Sequence, residues 1–126
     1  MSRIESLLPA FGAVLAAVAV ALSAAASHAL TTRLDPDDLR RVWIAAALLF
    51  GHGAVLAAST TWPTTRSVRA GRIFLAVGTV IFAGALLARA LAGTSSAPAP
   101  LGGSTLILGW LLLSLGLLPR STSREN

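Results

Sequence analysis

Four long stretches without a charged side chain constrain this chain more than any other feature of its sequence. They contain 27, 24, 16 and 30 residues and cover 6–32, 42–65, 73–88 and 90–119. A helix needs about 20 mostly apolar residues to cross the hydrocarbon core of a bilayer. The pattern therefore predicts an all-α integral membrane protein, a bundle of four transmembrane helices.

Composition excludes several classes of protein. Hydrophobic residues make up 55% of the 126 residues, and a soluble fold would have to expose too much of that apolar surface. The formal charge of +5 could suggest a nucleic-acid partner. However, the arginines cluster at the ends of the apolar runs and form no continuous basic face, so we predict no nucleic-acid binding. The absence of cysteine removes disulfides, thiolate metal sites and cysteine nucleophiles.

The boundaries predict one four-helix domain over residues 1–126. Asp35 before Pro36 is a strong helix start, with Asp35 as the N-cap and the proline at the first helical position. The first apolar run could also be a signal peptide, but it is longer than usual for one and we expect it to be retained. The predicted helices cover 7–30, 36–61, 71–92 and 101–118.

Orientation follows from the distribution of arginines between the two sides. Six lie on the side of the termini and four on the other side. Because cytoplasmic segments carry the excess of basic residues, we predict that both termini are cytoplasmic. The first group is Arg3, Arg66, Arg69, Arg72, Arg120 and Arg124, and the second is Arg33, Arg40, Arg41 and Arg89.

Small residues at heptad spacing predict how the helices pack. Gly102, Gly109 and Gly116 are seven residues apart in helix 4, with Leu106 and Leu113 between them. Lipid gives no hydrophobic drive for association, so close contact between small residues must hold such helices together. The spacing predicts a packing seam, which the substitution Gly109→Leu should disrupt. Helix 3 repeats small residues at the same period, at Gly71, Gly78, Ala85 and Ala92.

Polar residues inside the spans are candidate functional groups. By helix rise, His28 and Arg89 lie about 3–5 Å below the outer boundary. Two interpretations of each stay open. His28 either touches lipid headgroups or forms a polar cluster with Arg89, and Arg89 either joins that cluster or extends outward to the headgroups. Thr79 and Ser114 lie about one turn deeper than the mid-membrane level.

His52 and Trp110 fall at the same depth, about 14–15 Å below the outer boundary. A neutral imidazole in the membrane needs hydrogen-bond partners, and the indole N–H needs an acceptor. Gly51 and Gly53 flank His52 and would let a neighbouring backbone approach. We therefore expect a hydrogen bond between His52 and Trp110 that joins helices 2 and 4.

The chain offers little for catalysis or for a cofactor. The two histidines differ in depth by about 10 Å, and neither cysteine nor an intramembrane carboxylate is available as a further ligand. All five acidic residues lie outside the spans, whereas proton-coupled transport usually relies on a buried carboxylate. No hydrolase or metalloprotease motif is present. We predict no bound cofactor and no enzymatic activity.

Several segments resemble an uncharacterised family of membrane proteins, the domain of unknown function four-two-three. They are residues 78–86 (GTVIFAGAL), 99–103 (APLGG), 108–110 (LGW), 27–30 (SHAL) and His52. The family includes bacterial inner-membrane proteins and a small animal mitochondrial transmembrane protein. The resemblance implies a four-helix, multi-pass protein of the bacterial inner (plasma) membrane with no established activity.

The sequence departs from the family pattern at three places. The family usually has Tyr-Gln where this chain has Leu48 and Leu49, and glycines where it has residues 24–26. Arg89 occupies a position that is usually apolar. Any family function that depends on the Tyr-Gln pair would not extend to this chain.

With no group for chemistry and several surfaces for helix contact, the sequence favours a non-catalytic role. We expect an accessory or assembly subunit of a larger membrane complex, or a homo-oligomer, whose partners are the bilayer and other transmembrane helices. The alternative is a small oligomeric transporter or channel. Its lining would be His52, Thr79, Ser114 and Trp110.

Overall fold

The structure, a computed structural model, describes residues 3–119, with side chains from Ser6 onward. This part contains four α-helices and no strand. Each helix is long and apolar enough to cross a membrane, which confirms the predicted fold class. The helices are α1 (Arg3–Ser27), α2 (Pro36–Ala58), α3 (Arg66–Ala92) and α4 (Ala99–Leu117), and a 3-10 turn (Ser59–Thr61) extends α2.

Side-chain caps fix the starts of the two central helices. The carboxylate of Asp35 accepts from the backbone N–H of Asp38 at 2.8 Å, and Pro36 follows at the first helical position. The hydroxyl of Thr65 accepts from the N–H of Val68 at 3.2 Å. Gly93 ends α3 with φ of 65°, the left-handed conformation that glycine adopts without steric cost. These caps satisfy backbone groups that helix ends leave open.

Three predicted boundaries were wrong by more than two residues. α1 begins at Arg3 rather than at residue 7. α1 ends at Ser27 rather than at residue 30, because the carbonyls of Ala24 and Ala25 accept from His28 and Leu30 and close the helix in a turn. α3 begins at Arg66 rather than at residue 71, because the Thr65 cap starts the helix within the segment expected to be a basic loop.

The helices pack as two antiparallel pairs. α1 lies against α2, α3 lies against α4, and α2 joins the pairs through its contact with α3. All four helices contribute to the main apolar core, for example through Leu15, Leu49, Leu75 and Leu113. The α1–α2 and α3–α4 connections lie at one end of the bundle, here called the outer end, and the α2–α3 connection lies at the other.

Candidate functional site

The glycines of α4 face α3 along a continuous seam. A β-carbon on Gly102 would lie 2.5 Å from the backbone nitrogen of Phe82, and one on Gly116 would lie 2.6 Å from Cγ2 of Val68. A β-carbon on Gly109 would lie 3.1 Å from the backbone nitrogen of Leu75. At these distances a side chain on α4 would force the helices apart.

The facing glycines of α3 occupy the same seam. β-Carbons on Gly71 and Gly78 would lie 2.9 Å and 3.0 Å from the carbonyl oxygens of Gly109 and Gly102. Ala85 is buried as well, whereas Ala92 at the end of the helix is exposed. The small residues at heptad spacing therefore bring α3 and α4 of the same chain into backbone contact. Apart from Ala92, they are not on a surface left open to another protein.

A second close crossing joins α1 and α2. β-Carbons on Gly12 and Gly53 would each lie within 2.7 Å of the other glycine's carbonyl oxygen. Gly51, in contrast, has no heavy atom within 4 Å of the corresponding position. Of the two glycines beside His52, only Gly53 therefore admits a neighbouring backbone. Gly12 was not singled out from the sequence, because a lone glycine has no heptad partner to mark it.

The expected hydrogen bond between His52 and Trp110 is present. Nε1 of the indole donates to Nε2 of the imidazole at 3.3 Å, and the ring centroids are 5.9 Å apart. On the other side of the ring, Nδ1 lies 2.8 Å from the carbonyl oxygen of Leu48. Because an indole N–H can only donate and a carbonyl can only accept, the imidazole is neutral, with its proton on Nδ1.

This arrangement uses both nitrogens of His52 within the chain. Leu48 is one turn before the histidine on α2, and Trp110 is on α4, so one bond is local and the other joins helices. The indole is 44% exposed, so the pair lies at the lipid-facing edge between α2 and α4. A ring with both nitrogens occupied has no lone pair left for a metal or a substrate.

Thr79 and Ser114 do not join this pair. Thr79 is fully buried and donates to the carbonyl of Leu75 at 2.7 Å. Ser114 is exposed and donates to the carbonyl of Leu111 at 2.8 Å. Each hydroxyl thus donates its hydrogen bond to a backbone carbonyl of its own helix. Since one faces the core and the other faces outward, the four residues proposed as a channel lining do not share one surface.

His28 and Arg89 lie at the outer end but form no cluster. His28 is exposed in the turn after α1, beyond the last helical residue. The guanidinium of Arg89 turns toward the end of α3, where Nη1 donates to the carbonyl oxygen of Gly93 at 3.1 Å. Of the two interpretations, the structure thus has Arg89 extending outward along its own helix, as long basic side chains do near a membrane surface.

Arg72 is a buried polar residue that the sequence did not single out. Its side chain is only 8% exposed, in the second turn of α3. Val68, Arg72, Leu75 and Thr79 are spaced by four, three and four residues and are all buried. That helical spacing would have placed Arg72 on the inner face, had the helix been predicted to start at Arg66.

Comparison with known proteins gives one result. A family model described as "Protein of unknown function (DUF423)" matches residues 22–103, more than half of the chain. The chain belongs to this family. The match runs from the last turns of α1 into α4 and includes His28, His52 and Arg89. No curated protein and no solved structure matches the chain.

Membership in DUF423 confirms the resemblance and adds no activity, because the family itself has no assigned function. The match ends at Gly103, before Trp110 and two of the three seam glycines. No group of three or more histidine, cysteine or acidic side chains is arranged to hold a metal within the described part of the chain.

Proposed function

We propose that this DUF423 protein is a non-catalytic membrane subunit that acts through contacts between transmembrane helices. It is either an accessory or assembly subunit of a larger membrane complex or a homo-oligomer in the bacterial inner membrane. The observation that carries the proposal is the open face of α2 around Gly51. Ala47, Gly51 and Ala54 are all exposed, and nothing lies within 4 Å of the position of a β-carbon on Gly51.

The spacing of these residues suits a docking helix. They lie four and three residues apart and so share one helix face, which small side chains leave flat. Small residues at this spacing let a neighbouring helix approach closely enough for packing to drive association in lipid. Gly12 and Gly53, in contrast, are already covered within the chain.

The polar groups favour the same role. His52 and Trp110 are hydrogen-bonded to each other across two helices, and Thr79 is hydrogen-bonded within α3, which leaves these groups little capacity for binding a substrate. The alternative of a transporter or channel draws on the same residues. It would require them to share a water-filled lining, and Thr79 is in the core while Trp110 is at the lipid-facing edge.

The first experiment determines the native assembly. Tagged protein is captured from gently solubilised source membranes and resolved by native electrophoresis, and co-migrating polypeptides are identified by mass spectrometry. A stoichiometric partner supports the accessory subunit, and a defined assembly of this chain alone supports the homo-oligomer. A monomer that co-migrates with nothing contradicts both.

A matched pair of variants then tests the surface. Gly51→Leu should abolish the assembly, because leucine fills the flat face of α2. Gly84→Leu is the control, since Gly84 is also exposed with nothing within 4 Å but lies on α3. Neither leucine meets an atom of its own chain at the β-carbon, so both proteins should remain folded. Loss of the assembly in both variants, or in neither, would count against the α2 face.

A further inference from the structure

A charged cleft of about 370 Å³ opens at the outer end of the bundle. Its volume falls within the usual range for small-molecule sites, about 300–1,000 Å³. Two helices form it, the start of α2 on one side and the end of α3 on the other. Its lining residues are Asp35, Pro36, Asp37, Asp38, Arg41 and Arg89.

The depth of the cleft places it among lipid headgroups. α2 begins and α3 ends at this end of the bundle, and both helices are long and apolar enough to span a membrane. The charged side chains of the cleft therefore lie within about two turns of the ends of two membrane-spanning helices. The headgroup region adds about 5–8 Å on each side of the hydrocarbon core. In a bilayer, the molecules that face this cleft are consequently phospholipid headgroups.

The charges in the cleft are distributed unevenly between its two walls. On α2, Asp38 pairs with Arg41 at 2.6 Å, Asp37 pairs with Arg40 at 3.5 Å, and Asp35 caps the helix. On α3, the guanidinium of Arg89 forms one hydrogen bond, to the carbonyl oxygen of Gly93. No carboxylate of the described side chains pairs with it. The cleft thus has, on its α3 side, an arginine without an acidic partner among the described residues and, on its α2 side, several carboxylates.

We propose that this cleft binds the headgroup of a zwitterionic aminophospholipid, with the phosphate on Arg89 and the ammonium on the carboxylates of α2. A guanidinium has five N–H donors in a fork that matches phosphate oxygens, and Arg89 uses one of them within the chain. A primary ammonium offers three donors, which carboxylates accept.

The balance of charge around the cleft favours this class over an anionic lipid. Three carboxylates and two guanidiniums line the cleft, and Arg40, which pairs with the lining residue Asp37 at 3.5 Å, brings the local charge to zero. A headgroup with a phosphate alone would add a net negative charge, whereas phosphoethanolamine is itself neutral and brings a cation to the carboxylates of α2.

The test measures which lipids the purified protein retains. Protein is equilibrated in bilayer discs with equal amounts of phosphatidylethanolamine and phosphatidylglycerol, and retained lipids are counted by native mass spectrometry. Phosphatidylethanolamine should be preferred. Arg89→Gln should weaken its retention by about tenfold, the effect of losing one charge-assisted contact. Arg33→Gln is the control, because Arg33 is exposed at the same end but does not line the cleft.

A second variant tests the acidic wall without disturbing the helix. Asp35→Asn removes a charge but keeps an N-cap of equal quality, so α2 should remain intact. It should reduce the preference for phosphatidylethanolamine over phosphatidylglycerol. Equal retention of both lipids by the unmodified protein, or equal effects of Arg89→Gln and Arg33→Gln, would overturn the proposal. If soluble glycerophosphoethanolamine displaced bound phosphatidylethanolamine when both are present at the same concentration, the ligand would not need acyl chains, and the assignment to a lipid would be overturned.

Discussion

A single methyl group at Gly102 should separate α3 from α4. The β-carbon of an alanine there would lie 2.5 Å from the backbone nitrogen of Phe82 and 2.8 Å from its Cα. Non-bonded carbon atoms pack at about 3.5–4.0 Å, so the helices must move apart by about 1 Å. The contacted atoms belong to the backbone and cannot rotate away. The whole seam therefore loosens.

The size of the effect can be graded along the two helices. Overpacking a well-packed interior costs about 1–3 kcal/mol, and Gly102→Ala should fall in the upper half of that range, above the ~0.5–1 kcal/mol that alanine gains over glycine in a helix. At Gly109 the β-carbon would lie 3.1 Å from Leu75, so overpacking should cost only about 1 kcal/mol, and the same helix gain nearly cancels it. Gly84→Ala meets nothing within 4 Å and should stabilise α3 by about 0.5–1 kcal/mol, since alanine is the better helix former.

The assay is the free energy of unfolding in bicelles, measured by steric trapping, with circular dichroism to verify that helix content is unchanged. Gly84→Ala should be more stable than the unmodified protein, Gly109→Ala should be about as stable as the unmodified protein, and Gly102→Ala should be less stable than the other three. Gly109→Leu should be less stable than Gly109→Ala, because the larger side chain cannot enter the seam. Equal stability of the Gly102→Ala and Gly84→Ala proteins would refute the role of backbone contact.

Three further predictions concern single groups. Trp110→Phe removes the indole donor and should lower the free energy of unfolding by about 0.6–1.7 kcal/mol. The control, Trp43→Phe, removes no interhelical bond and should have a smaller effect in the same assay. Asp35→Ala should cost about 1 kcal/mol through loss of the N-cap, and Asp35→Asn should restore that stability. The chain has no native cysteine, so Thr32→Cys and Thr64→Cys can show which end of the bundle faces the cytoplasm. If both termini are cytoplasmic, a membrane-impermeant maleimide added to intact cells should label only Thr32→Cys. Labelling of Thr64→Cys alone would contradict cytoplasmic termini.

Features that depend on one helix at a time could be predicted from the sequence. The four spans follow from uncharged runs, and the Asp35 cap follows from local chemistry. The heptad spacing of Gly102, Gly109 and Gly116 indicated a seam for the same reason, because a repeat along one helix marks one face. The bond between His52 and Trp110 needed only depth, which helix rise supplies.

Features that depend on which helices are neighbours could not be predicted in this way. Gly12 and Gly53 form a contact 41 positions apart in the chain, and neither lies in a repeat. The partner of the α4 seam was likewise open until α3 was seen to supply Gly71 and Gly78. The cleft at Arg89 depends on the approach of α3 to the start of α2, which no local pattern encodes.

The order in which the ribosome makes the helices gives the bond between His52 and Trp110 a further consequence. α1 and α2 can close on each other at Gly12 and Gly53 before α3 has been synthesised. Nε2 of His52, however, has no donor until the indole of α4 enters the bilayer. A chain that stops before residue 110 therefore carries an unsatisfied polar nitrogen in hydrocarbon. α4 is translated after α1 and α2 and supplies the donor that their His52 lacks, so a chain truncated before α4 differs chemically from one that contains it at the surface that a membrane protease would meet.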